Sequence, residues 1–301
     1  MHTSTVTSTK EVLLKRLEGL SQIPTIPAVL GPLVRYLQQP VELLDTNKVA
    51  DFIAQDKSLA AQCLHMANSP LFGRWQKVDT LRGAVVGLGF HRLTDIAMSC
   101  GVLNLLPSEK TSIDPAAFWE HSLGCALVCR QFARKIGFDN PGKAYLSGLL
   151  HDLGIIVNLW ILPGEFGTAF DLAKIEGIPL HEAEQQTLGF NHCESGRALA
   201  EHWELPPDLI AVIGHHHSPG DSPDHQAIVS IVQLSDLLCR MSGLNHGYIE
   251  KRQVNLTAET GFGVLEHQYP SITDLDWARL TFELDSYLDE VHSLVRTIYR
   301  T

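Results

Sequence analysis

The sequence predicts an all-α protein. Apolar residues recur at three- and four-residue steps along most of the chain, and Asp, Thr, Asn-Ser and Pro punctuation brackets those runs. No stretch alternates apolar and polar residues between hairpin turns. Leu13, Leu14, Leu17 and Leu20 mark a first amphipathic helix, and Ile23-Pro24-Thr25-Ile26-Pro27 makes an extended link into a second, through Leu30, Leu33, Val34 and Leu37. Asp45-Thr46 opens a third helix carrying Val49, Phe52 and Ile53. Asp56 opens a fourth, whose face of Leu59, Cys63, Leu64 and Ala67 ends at Asn68-Ser69-Pro70. Two more are predicted near 80–88 and 90–106, separated by Gly87 and Gly89. Asp114-Pro115, an N-cap followed by proline at the first helical position, starts a second block with a helix to about Lys135. Residues 241–275 have no strong period and read as an irregular connector. Leu280, Leu284, Leu288, Val291, Val295 and Ile298 then form the stripe of one long amphipathic helix.

At 301 residues and 45% hydrophobic composition the chain can bury one large core or two modest ones. Its longest apolar stretch, 144–157, is interrupted by Gly148, His151 and Asp152, so no membrane span is expected. The first twenty residues have no apolar segment followed by a small-residue cleavage site, and the six cysteines sit in apolar contexts without CxxC spacing. Both point to reduced core thiols in a cytoplasmic protein. A formal charge of −11 argues against a general nucleic-acid binder, which needs clustered Lys and Arg.

The chain carries 15 histidines, and their placement is more informative than their number. In Leu149-Leu150-His151-Asp152-Leu153-Gly154-Ile155, an imidazole and a carboxylate interrupt what reads as an otherwise apolar helix. Asp236, inside Ile231-Val232-Gln233-Leu234-Ser235-Asp236-Leu237-Leu238, poses the same problem. Buried without partners such groups cost several kcal/mol each, so they call for a metal, for each other, or for strong hydrogen bonds. Imidazole and carboxylate donors together suit Fe, Mn, Zn, Co or Ni better than Ca or Mg.

At these residues the chain resembles the HD superfamily of metal-dependent phosphohydrolases, with its H…HD…D pattern, and more narrowly the HDOD family, the HD-related output domain. The phrases that carry the narrower resemblance are Ile23-Pro24-Thr25-Ile26-Pro27-Ala28-Val29, Gln55-Asp56-Lys57-Ser58-Leu59, the run from Met66 to Gly73, Ala84-Val85-Val86-Gly87-Leu88-Gly89 and His202-Trp203-Glu204-Leu205-Pro206. It spans residues 15–240 and implies a two-lobed helical bundle: an N-terminal lobe over 1–111, an HD-like lobe over 112–240, and a C-terminal connector and helix over 241–301. Carried across, the pattern makes His121 the first His, His151 and Asp152 the HD pair and Asp236 the last Asp. The related HD-GYP phosphodiesterases add His192 and the pair His216-His217 for a second ion, with His215 left as a flanking residue. The implied cofactor is one or two divalent ions, Fe or Mn first, with Zn, Ni or Co compatible.

HD-GYP enzymes place Lys after HDxG, where this chain has Ile155, and no GYP follows His216-His217. Two functions follow from the resemblance. One is a bacterial signal-transduction output module working through contacts with other signalling proteins, without membrane attachment and with the C-terminal helix as a surface for a second copy. The other is a metal-dependent phosphohydrolase of a nucleotide or cyclic dinucleotide, with Asp152 as catalytic residue.

Overall fold

The computed structural model describes residues 30–37, 45–72, 77–106 and 111–299. The expected helix over Leu13–Leu20, the Ile23–Val29 phrase and residues 73–76 lie outside them. Among the described residues every regular element is helical.

Among the described residues the first five helices are α1 (Leu30–Leu37), α2 (Thr46–Ala54), α3 (Lys57–Ala67), α4 (Leu81–Leu88) and α5 (Phe90–Leu103). The Asp56 carboxylate caps α3 by accepting from the Ser58 and Leu59 amides at 2.8 and 3.0 Å. At its other end the Asn68 side chain donates to the Leu64 and Val78 carbonyls and accepts from the Val78 amide, replacing the helix ladder where the chain turns. Gly89, at φ +84°, makes the break between α4 and α5 that the paired glycines suggested. Helix α5 is buried continuously from Leu93 to Leu103 and packs on α3 on one side and on the second block on the other.

That block begins with α6 (Pro115–Ile136), capped by Asp114 at its start and closed by Gly137 at φ +80°, close to the expected bounds. Helices α7 (Pro141–Leu150) and α8 (Leu153–Ile161) follow. His151 and Asp152 therefore do not sit inside one apolar helix, as the pattern suggested, but fill the break between two. Residues 141–161 are long and apolar enough in composition to cross a bilayer, yet 89% of the apolar 18-residue window within them is buried inside the protein. Helices α9 (Pro163–Glu176), α10 (Leu180–Leu188), α11 (His192–His202), α12 (Pro207–His215) and α13 (Gln226–Met241) complete the surround.

Segment 241–275 is more ordered than expected. It holds α14 (Thr260–Gln268) between two short 3-10 turns, with Phe262, Leu265 and Ile272 buried. Its period is masked because its first turn uses Gly261 to come close to α13: the Gly261 amide donates to Gln233 Oε1 at 2.9 Å, where a Cβ would collide. Helix α15 (Trp277–Tyr299) carries the long apolar stripe, burying Leu280, Val291, Leu294 and Val295, and packs on α6 within the chain.

A close helix approach lies beside the His151-Asp152 break. A Cβ on Gly154 would stand 1.8 Å from the His192 carbonyl oxygen and 2.8 Å from the Gly196 amide nitrogen, both backbone atoms that cannot swing aside. Helices α8 and α11 thus touch backbone to backbone, which holds His192 beside Asp152. Gly154→Ala is expected to destabilise the protein by about 3 kcal/mol or more, at the upper end of overpacking effects. Gly164→Ala, where nothing lies within 4 Å, should be neutral or stabilising by about 0.5 kcal/mol. Urea unfolding of the two variants, measured side by side, checks the contrast.

Candidate metal centre

Four helix ends and two helix interiors deliver imidazoles and carboxylates to one place. His121 comes from the middle of α6, His151 and Asp152 from the α7–α8 break, His192 from the first turn of α11, His216 and His217 from the end of α12, and Asp236 from α13. Asn191 and Glu194 form a reciprocal capping box that fixes the start of α11 and hence the placement of His192. All seven residues expected from the sequence converge. Six are buried to 2% exposure or less, and His217 is partly exposed. His215, the flanking residue of its run, faces away toward Arg197 at 3.5 Å.

Asp152 sits at the middle. Its Oδ2 has the Nε2 atoms of His121, His151 and His246 at 3.4, 3.2 and 3.0 Å, and its Oδ1 has those of His192 and His216 at 3.4 and 3.5 Å. His121 Nε2 is also 3.3 Å from Asp236 Oδ1, and His192 Nε2 is 3.0 Å from His217 Nε2. One carboxylate thus faces two clusters of imidazoles, an arrangement that suits a bridge between two cations.

The outer ring nitrogens decide what the inner ones can do. His121 Nδ1 donates to the Leu244 carbonyl at 2.8 Å, His151 Nδ1 to the Gly148 carbonyl at 2.7 Å, and His216 Nδ1 to the Val212 carbonyl at 3.2 Å. A carbonyl only accepts, so each Nδ1 carries a proton, and a ring without a second proton turns its Nε2 lone pair inward. His192 Nδ1 is bonded at 2.6 Å to Glu184, whose second oxygen accepts from Asn158. Such outer partners orient metal-ligating histidines generally. The result is a buried pocket of lone pairs on nitrogen and carboxylate oxygen. Asp152 Oδ2, fully enclosed, makes no hydrogen bond of proper geometry with any of its three imidazole neighbours. A cation, or protons on some of the rings, must sit among them, and the donor set fits a divalent transition metal.

The charge states fit that demand. Burial works against ionisation of Asp152, yet the imidazoles gathered around it, His151 first and then His121 and His216, hold it well below the usual carboxylate range. Asp236 is likewise buried and likewise held down, chiefly by Arg240, which reaches its Oδ2 at 2.7 Å and leaves Oδ1 facing the cluster. Burial pushes His216 and His246 down to about 4, so both stay neutral. His121 goes the other way: burial opposes its charge, but Asp152 and Asp236 more than offset it. The imidazolium there is what the two carboxylates recruit when protons alone occupy the centre.

Four participants escaped the sequence pattern. His246 lies in the supposed connector, 7% exposed, with its ring 4.3 Å from that of His121. His181 stacks on His217 at 3.9 Å, Glu184 orients His192, and Arg240 braces Asp236 while pairing with Glu250 at 2.6 Å. The Asn245-His246-Gly247 triplet has no spacing relation to the others. The i,i+4 pair Asp236 and Arg240 was the one legible hint. Segment 244–251 closes over the centre and is tied down beside it: the Leu244 carbonyl on His121, His246 on Asp152, Tyr248 on the Ile178 carbonyl, Glu250 on Arg240, and the Lys251 amide on the Gly177 carbonyl.

Comparison with known proteins places this geometry in a family. The HDOD domain matches residues 23–219. A solved HDOD domain protein of unknown function from Geobacter sulfurreducens is 29% identical and superposes with a TM-score of 0.82, covering 96% of this chain and 97% of that one. A candidate phosphohydrolase of solved structure from Shewanella amazonensis is 21% identical with a TM-score of 0.70 over 94% of this chain and 97% of that one, a likeness of fold. An uncharacterised protein of Treponema pallidum is 26% identical over 237 residues, 78% of this chain, and the chain spans 45% of that relative's length.

Elemental analysis of the purified protein should find a divalent transition metal that Asp152→Ala loses. His246→Ala should keep the fold and weaken metal retention at least about tenfold. Equal metal content in all three proteins would remove both residues from the centre.

Proposed function

Starting from the fact that the chain belongs to the HDOD family, we propose that it is a bacterial cytoplasmic output module whose divalent metal centre is structural, and that it passes regulatory state to other signalling proteins by contact. His121, His151, Asp152, His192, His216, His217 and Asp236 would hold the metal, with His246 completing the first cluster. The observation that carries this reading is closure. Segment 244–251 seats His246 over Asp152 and leaves the His121 side of the centre buried. Structural metal sites are closed by protein ligands, whereas catalytic ones keep a position for water or substrate.

When bound, the metal supplies Lewis acidity and a lowered water pKa, and the rest of a phosphohydrolase must come from side chains that meet the substrate. Ile155 is fully buried and aliphatic at the position where the related phosphodiesterases have Lys, so it brings no charge to a phosphate. The six buried free cysteines suit a reducing compartment.

A second reading, hydrolysis of a nucleotide or cyclic dinucleotide with Asp152 as catalytic residue, is favoured by one feature: partly exposed His217 gives the His192 side an edge toward solvent. Protein loaded with Fe or Mn and assayed against cyclic dinucleotides and nucleoside monophosphates separates the two. The output-module reading expects no turnover above that of Asp152→Ala. Turnover that the variant abolishes would make the chain an enzyme.

A further inference from the structure

A second feature of the molecule stands apart from the metal centre. Between α5 and the corner joining α6 to α7 lies a cleft of about 440 Å³, within the range of small-ligand sites, which run from roughly 300 to 1,000 Å³. In a chain with 34 acidic and 23 basic residues, its walls reverse the balance: Arg92, Arg130, Arg134 and Lys143 face Asp95, Asp139 and Asp208. Two of the carboxylates are already committed. Asp95 pairs with Arg130 and Asp208 with Lys143 at 2.5 Å, both carboxylates buried. Arg92 and Arg134 are exposed at the rim.

The floor of the cleft is fixed in advance. The Arg130 guanidinium lies 4.0 Å from the centre of the Tyr145 ring, and the Tyr145 hydroxyl is hydrogen-bonded to Ser99 Oγ at 2.8 Å. The amino end of α7 opens into the same space. Asn140 caps it through the Lys143 amide, and the Gly142 amide, a first-turn donor without an intrahelical acceptor, carries no side chain that would keep a ligand away. The positive end of a ten-residue helix therefore adds to the rim cations. The lining also includes an apolar shelf of Phe90, Met98, Leu146 and Leu209. Fixed guanidinium and ammonium groups recognise phosphate oxygens, and a flat apolar wall beside them accepts a ring.

We propose that this cleft binds a nucleoside phosphate, with its phosphates on Arg92, Arg134, Lys143 and the amino end of α7, and its base on the Phe90–Leu209 shelf. The site is distinct from the metal centre and does not depend on whether that centre is sealed or catalytic. Helices α6, α7 and α12 each contribute to both: Arg130 and His121 on α6, Lys143 and the His151 end on α7, Asp208 and the His216 end on α12.

Fluorescent N-methylanthraniloyl ATP and GTP, titrated into the full chain with pyrophosphate as competitor, test the proposal. Saturable binding is expected, weakened about tenfold or more by Arg134→Glu at the exposed rim. Pyrophosphate should compete at least about tenfold less well than the unlabelled nucleotide, because it leaves the shelf empty. Hydrogen exchange should slow over residues 139–146 when nucleotide is added, a readout that needs no variant. Absence of saturable binding, binding indifferent to Arg134→Glu, or equal competition by pyrophosphate would overturn it. Slowing confined to residues 244–251 would also do so, by moving the nucleotide to the metal centre.

Discussion

The structure depends on three backbone carbonyls. Those of Gly148, Val212 and Leu244 take the outer N–H of His151, His216 and His121, and so turn three inner lone pairs toward one carboxylate. Remove those bonds and each ring could flip its donor inward and satisfy Asp152 with an ordinary hydrogen bond. With them in place, the centre of the bundle is an array of acceptors that has to be filled by protons or a cation. Burying such an array unfilled would cost roughly several kcal/mol per charged group. The surrounding architecture serves to hold it: backbone contact of α8 with α11 at Gly154, the capping box that starts α11, and Arg240 bracing Asp236.

The same constraint explains which parts were legible in the sequence. Polar residues stranded among apolar ones, as at His151-Asp152 and Asp236, announce a buried polar centre whatever the fold, because burial without partners is too costly to be accidental. The first helix of the second block was legible for a local reason, since Asp114-Pro115 is start chemistry written in two adjacent residues. What periodicity could not reveal was the break at His151-Asp152, since apolar residues on both sides continue the hydrophobic run while the backbone changes direction. Nor could it reveal His246, whose placement follows from tertiary bonds of 244–251 rather than any local repeat. The short α14, entered through Gly261 against α13, was hidden for the same reason.

The functional reading turns on access. The imidazoles and carboxylates match what a metal-dependent hydrolase would need, but a ligand set and a reaction are different things. Segment 244–251, beyond the 23–219 match to the HDOD family, covers the centre with a histidine and ties itself down through Tyr248, Glu250 and Lys251. A metal held there would lock helix ends together, so that changes elsewhere in the bundle would be carried by rigid helices. The cleft at the opposite ends of α6, α7 and α12 gives those helices a second place where a ligand can bear on them.

The central claim is that Asp152 stands between imidazoles gathered around a cation. Anomalous diffraction from crystals of the protein as purified, collected at the absorption edge of whichever metal it contains, tests this most directly. The account predicts a peak beside Asp152 in contact with the Nε2 atoms of His121, His151 and His246. No peak there, with the rings and carboxylates instead joined by hydrogen bonds of normal geometry, would contradict it.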